Sequence, residues 1–124
     1  MYFLDTHVVV WLYQKSLNRL SKKAIQSIDH HDIFISPIVL LELEYLFEIG
    51  RIKDNIETIV QYLKPRVGLK IDNEYFQEII NVAVKESWTR DPFDRLIVAH
   101  ARYKDAYLIS KDENIAKNYA KTIS

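Results

Sequence analysis

Four carboxylates in this chain stand in apolar surroundings: Asp5, Glu42, Asp94 and Asp112. Asp5 ends the run Tyr2-Phe3-Leu4. Glu42 lies in the apolar stripe of a helix, with Ile38, Tyr45, Leu46 and Ile49 at helical spacing. Asp94 heads the face made by Ile97, Val98 and Ala101, and Asp112 follows Tyr107-Leu108-Ile109. A carboxylate avoids such surroundings unless it is paired or holds a cation. Four of them, from four separate segments, point to one shared cation site and to metal-dependent chemistry on a phosphate.

Each acid also has a plainer reading. Asp5 and Asp112 stand where helix caps stand, and Asp94 favours the dipole of its helix from the first turn. Glu42 has the reading of a surface glutamate. Asp91 is read first as the N-cap of the helix that carries Asp94, with a direct metal role as its alternative. What the plain readings do not explain is that all four acids flank one sheet edge.

The elements that position these residues follow from the pattern of apolar runs and caps. Strands are expected at 2–4, 33–35, 67–71 and 107–109, with a short one at 121–123. Helices are expected at 7–14 with Thr6 as cap, from Ser21, and from Pro37 to Ile49 behind the Ser36-Pro37 start, with Gly50 as the left-handed residue after it. Further helices are expected at 54–64, ending before Pro65, from an Asp72 or Asn73 cap to Glu86, at 92–104 behind Asp91-Pro92, and after Asp112. Alternating strands and helices argue for an α/β fold, a mostly parallel sheet covered on both faces. In such sheets ligands bind beyond the carboxyl ends of the strands, where Asp5 and Asp112 fall.

At 124 residues with 48% hydrophobic content the chain reads as a single domain, 1–124, without linkers or repeats. The absence of cysteine excludes disulfides and thiolate chemistry and fits a cytoplasmic setting. No apolar stretch reaches bilayer length, and the N-terminus lacks the basic start of a signal peptide. A net charge of +0 counts mildly against a nucleic-acid partner. If four acids hold metal, however, the remaining surface is positive by about four charges.

Other groups carry less. Asp29-His30-His31-Asp32 has metal-ligand composition but precedes a strand on the side away from the acids, and reads as a solvated loop. His7 reads as a helix-surface histidine close to Asp5, and His100 as packed on its helix. There is no Ser-His-Asp arrangement and no Gly-rich phosphate loop. The haloacid-dehalogenase pattern needs an aspartate where His7 stands.

Nearly end to end, the sequence resembles the PIN-domain nucleases, and among them the VapC-type toxins of toxin–antitoxin systems. Leu4-Asp5-Thr6-His7 with Trp11-Leu12 is similar to the opening motif, and Ser36 to Leu43 to the second. The most specific stretch is Arg90-Asp91-Pro92-Phe93-Asp94-Arg95-Leu96-Ile97-Val98-Ala99-His100-Ala101, and Leu108-Ile109-Ser110-Lys111-Asp112 is similar to the closing motif. Thr89 stands where a histidine is common, and Glu44 where an aromatic residue or alanine is.

The resemblance implies a three-layer α/β/α PIN-like fold and a metal-dependent endoribonuclease. Asp5, Glu42 and Asp94 would be the core ligands of Mg²⁺ or Mn²⁺, and Asp112 would complete the site. Thr6 and Ser110 are read as hydroxyls that orient the carboxylates or metal waters. Arg95 is read as balancing the acids, contacting phosphate, or forming a structural ion pair. RNA would lie across Arg90, Lys111 and Lys15. A cognate antitoxin and a homodimer are the implied partners, with the apolar helix 37–49 and Ile56, Ile59, Val60 and Leu63 as partner surface or as core. The competing readings are a non-catalytic RNA- or protein-binding module, a phosphatase and a flap-type DNA nuclease.

Overall fold

The computed structural model describes all 124 residues. Short apolar runs form five strands: β1 Tyr2–Leu4, β2 Ile33–Ile35, β3 Lys70–Ile71, β4 Tyr107–Ile109 and β5 Thr122–Ile123. They make one wholly parallel sheet in the order β3-β2-β1-β4-β5. Phe3, Leu4, Ile33, Ile35, Leu108 and Ile109 are all essentially buried, as expected of a parallel sheet covered on both faces.

Seven α-helices and a 3₁₀ turn at Leu17–Arg19 complete the three-layer α/β/α fold. The helices are α1 Thr6–Tyr13, α2 Lys22–His30, α3 Pro37–Glu48, α4 Ile56–Val67, α5 Phe76–Val84, α6 Pro92–Tyr103 and α7 Glu113–Asn118. α5 packs along α6, α6 against α3, and both α3 and α4 against α1. The Ser36 hydroxyl caps α3, and Asp91 caps α6 through Oδ1, which accepts from the Phe93 and Asp94 amides at 2.8 and 3.2 Å. No helix is long and apolar enough to cross a membrane.

Three local expectations need correcting. α4 runs through Pro65 to Val67 and ends on Gly68 in the left-handed conformation (φ 66°). Proline near the end of a helix leaves one carbonyl without its amide partner, here that of Gln61, an exposed residue. The strand then shrinks to Lys70–Ile71.

α5 starts at Phe76, not at an Asp72 or Asn73 cap, because the Asp72 carboxylate is engaged elsewhere. Its Oδ2 lies 3.0 Å from His100 Nε2 and 3.2 Å from Lys104 Nζ, on α6 and just beyond its end. Tyr75 turns the chain into α5 through a left-handed backbone (φ 59°).

α1 is capped by Asp5 and not by Thr6: Asp5 Oδ1 accepts from the Thr6 amide at 2.8 Å. The threonine is thereby the first helical residue, and its hydroxyl is free for another partner.

Candidate active site

The chain runs outward from β1 through β2 to β3, then returns to lay β4 on the other side of β1. The strand order therefore reverses between β1 and β4, and a crevice opens beyond their carboxyl ends. Asp5 leaves β1 there, and Ser110 to Asp112 leave β4 beside it. The Asp5 amide donates to the Ile109 carbonyl at 3.0 Å, which continues the sheet register up to the crevice. α3 brings Glu42 in and α6 brings Asp94, pointed by the Asp91 cap.

The resulting cleft encloses about 380 Å³. Asp5, Glu42, Asp91, Asp94 and Asp112 line it, with His7, Trp11 and Lys111. The four acids that the sequence singled out thus share one cleft, together with Asp91. Two hydroxyls fix two of the carboxylates. Ser110 Oγ donates to Asp5 Oδ2 at 2.7 Å, and Thr6 Oγ1 donates to Glu42 Oε1 at 2.5 Å. Asp112 Oδ1 accepts from the Asn114 and Ile115 amides at 2.8 and 3.1 Å, so it also caps α7.

The electrostatics of the cleft are strained. Burial raises the Asp5 carboxyl above its ordinary value, against the Ser110 and Thr6 hydrogen bonds that lower it. Burial also raises Glu42, with the Asp5 charge adding to it and the Thr6 hydroxyl opposing. Asp94 is pushed up to about 7, by burial first and then by the charges of Asp91, Asp5, Asp112 and Glu42. None of the five acids forms a salt bridge.

The donor set tests well against a divalent cation in kind. It is all oxygen, negatively charged and unpaired, which suits Mg²⁺ or Mn²⁺. No three acidic or histidine side chains converge to close around one ion. The cleft is open, a form that suits an ion keeping several of its waters.

Other sequence-derived candidates lie elsewhere. Arg95 does not line the cleft; its Nε donates to the Thr89 carbonyl at 2.8 Å and holds the turn before α6. Of the basic residues named for RNA, only Lys111 lines the cleft, and Arg90 Nη1 donates to the Ser87 carbonyl. His31 stacks on Tyr2 with ring centroids 4.3 Å apart, and Asp32 pairs with Lys70 at 3.6 Å. The Asp29–Asp32 segment is thus tied up at the amino end of the sheet, far from the acids.

Sequence reasoning took His100 for a residue packed on its own helix. It is buried against Phe3 and bonded to Asp72, and burial lowers it while Asp72 pulls the other way. For Asp72 burial acts upward, but His100 and Lys104 outweigh it and hold the carboxyl below its ordinary value. This buried group was legible only as an aspartate after an apolar strand, a pattern it shares with Asp5.

A family model for the PIN domain matches residues 2–121, and the chain belongs to that family. Within it the chain is a VapC-type protein: it is 33% identical to Ribonuclease VapC22 of Mycobacterium tuberculosis over 115 residues, 90% of this chain and 87% of that one. In fold it is similar to the VapBC2 complex from Rickettsia felis bound to a promoter DNA fragment, with a TM-score of 0.67 and 23% identity over 98% of this chain and 95% of that one. A toxin–antitoxin complex from Klebsiella pneumoniae has the same TM-score at 15% identity, covering 100% of this chain and 97% of the other. PAE2754 from Pyrobaculum aerophilum follows with 0.62 and 16% identity, over 98% and 87%.

Proposed function

We propose that this chain is a divalent-metal-dependent endoribonuclease and the toxin of a toxin–antitoxin pair. The observation that carries the reading is the cleft itself: carboxylates that follow β1, sit on α3 and α6 and follow β4 line one crevice, and none of them is in a salt bridge. A cluster of that kind repels a phosphodiester until a cation reverses its sign. Bound there, Mg²⁺ or Mn²⁺ would offset the charge of the phosphate and acidify a water ligand.

The chain's own residues divide the remaining work. Asp5, Glu42 and Asp94 would hold the cation directly or through water, and Asp112 would complete the set from the β4 side. Ser110 and Thr6 fix the orientation of Asp5 and Glu42, as outer partners of metal ligands do. Asp91 aims Asp94 by capping α6, and its own carboxylate adds to the negative field.

Ribonuclease VapC22 is named for RNA cleavage, and the Rickettsia and Klebsiella structures are titled as toxin–antitoxin assemblies. By that likeness RNA is the substrate and a cognate antitoxin the partner, both met in the cytoplasm. A homodimer is the proposed assembly. α3 buries Val39, Leu43 and Leu46 but exposes Leu41, Tyr45 and Phe47, and Ile49 just after it is exposed too, an apolar surface suited to a second copy. Ile59 and Leu63 are only 1% exposed and belong to the core, which removes them from the partner surface suggested by the sequence.

The test is cleavage of total cellular RNA by purified protein with Mg²⁺, Mn²⁺ or EDTA, beside single-stranded DNA and a generic phosphate ester. Discrete, EDTA-sensitive RNA fragments are expected. Hydrolysis of DNA or the ester alone would sink the assignment.

A further inference from the structure

Four acids make a poor surface for a polyanion, so the cleft needs a neutral or cationic grip for the strand on either side of the cut. Trp11 stands in the right place for one. It projects from the second turn of α1, lines the cleft with the acids, and is only partly covered. Its inner side packs on the core, a job that a leucine would also do. His7, one turn earlier and exposed, tilts beside the indole at 6.2 Å between centroids.

On the indole lies Arg19, from the 3₁₀ turn, with Cζ 5.5 Å from the ring centroid. That distance is within cation–π range. The guanidinium forms no ion pair. A planar guanidinium stacked on an aromatic ring keeps its edge free to pair with phosphate. Stacking on an indole attracts a base of any sequence without adding charge.

We propose that Trp11, carrying Arg19 on its ring, is the substrate-gripping wall of the cleft. A nucleobase next to the scissile phosphate takes the outer face of the indole as Arg19, an exposed side chain, swings off it to meet a flanking phosphate. The proposal rests on the ribonuclease reading and names which part of the RNA the site holds and with what.

The chain has two tryptophans, so Trp88→Phe leaves Trp11 as the sole indole reporter. Titrating that protein with a single-stranded RNA oligonucleotide in EDTA, where nothing is cut, is expected to quench its emission. Trp11→Leu should weaken RNA binding and raise KM on the order of tenfold, with kcat falling less, and Trp11→Tyr should restore most of the loss. Arg19→Gln, an exposed change, should leave the melting temperature unmoved while lowering affinity and reducing the salt dependence of binding by about one phosphate contact.

RNA that binds without altering Trp11 emission, or an unchanged KM in both Trp11→Leu and Arg19→Gln, would overturn the wall. A protein that quenches with RNA but cuts none in any metal keeps the wall and loses the nuclease. One that cuts with normal KM in both variants keeps the nuclease and loses the wall. If Trp11→Leu does not fold, the quenching titration and Arg19→Gln decide the matter.

Discussion

Ser110 Oγ donates to Asp5 Oδ2 across 2.7 Å, joining residues 105 positions apart in the chain. The other oxygen of Asp5 accepts from the Thr6 amide, so both are engaged inside the protein and the orientation of the carboxylate is fixed. The oxygens of Asp5 and Ser110 are both buried, and a buried acceptor that loses its donor bears a desolvation cost.

Ser110→Ala is therefore expected to lower stability by about 1–3 kcal/mol. It should also cut metal-dependent cleavage roughly 10- to 100-fold, the usual cost of losing the outer partner of a ligand. Urea unfolding and steady-state cleavage read the two effects separately. Full activity with lowered stability would reduce the serine to a structural role.

Asp94→Asn keeps shape and removes charge. Cleavage should fall by more than the roughly 10–100-fold attached to an outer partner. The same change has a stability sign. Because Asp94 is raised to about 7 from 3.8, the metal-free folded protein holds a proton that the unfolded chain releases between those values. Stability contributed by this group is full below 3.8 and is lost as pH rises through about 7. The metal-free variant should therefore melt above the parent at pH 8, with no such gain at pH 3.5. Parent melting at pH 8 should rise with Mn²⁺, and the variant's far less. Equal Mn²⁺ shifts in both would remove Asp94 from the ligand set.

Asp72 is expected to matter for folding and not for cleavage. Asp72→Asn leaves His100 and Lys104 facing a neutral group and should cost about 3 kcal/mol, the scale for breaking a buried pair. His100 itself is depressed by burial below its ordinary 6.5. As pH falls, the unfolded chain takes the proton first, so the stability linked to His100 is present above 6.5 and is lost below it, down through the lower folded value. Denaturation midpoints measured from pH 8 to pH 5 check this in the parent. A loss of kcat in fully folded Asp72→Asn would place the residue in the reaction after all.

Leu41→Glu with Tyr45→Glu alters two exposed α3 residues, 58% and 47% accessible. The monomer's fold should lose no more than about 0.5 kcal/mol, the usual range for surface changes. Light scattering should report a dimer for the parent and a monomer for the double variant. A monomeric parent would refute the α3 interface outright.

Glu44→Gln is the quiet control on the same helix. Its carboxylate lies outside the cleft lined by Glu42, so cleavage should stay within about twofold of the parent, a difference of less than 0.5 kcal/mol in transition-state binding.

Much of the acidic site was legible because each acid interrupts an apolar pattern whose period places it: after β1, inside α3, at the head of α6, after β4. The Ser36-Pro37 and Asp91-Pro92 starts located α3 and α6 to the residue. Long-range partners were not legible, since nothing local distinguishes Asp72, which finds His100 and Lys104, from an aspartate that caps the next helix. α3 misled for a related reason: it is apolar around most of its circumference, so sequence spacing alone did not separate the core face of Val39, Leu43 and Leu46 from the exposed one. Arg95, three positions after Pro92 and next to Asp94, turns away because one residue along a helix is about 100° of rotation.

The strand order also governs when the site comes into being. β1 precedes the other four strands in the chain, but it lies between β2 and β4, and the serine that orients Asp5 follows β4. During synthesis Asp5 and Glu42 emerge long before Asp94, Ser110 and Asp112 exist. A chain still on the ribosome therefore carries only fragments of the acidic cleft, within reach of the RNA that makes it. Under the proposed function, the order of the sheet is a safeguard: the protein becomes dangerous to RNA only after β4 and the turn that follows it have been translated and folded.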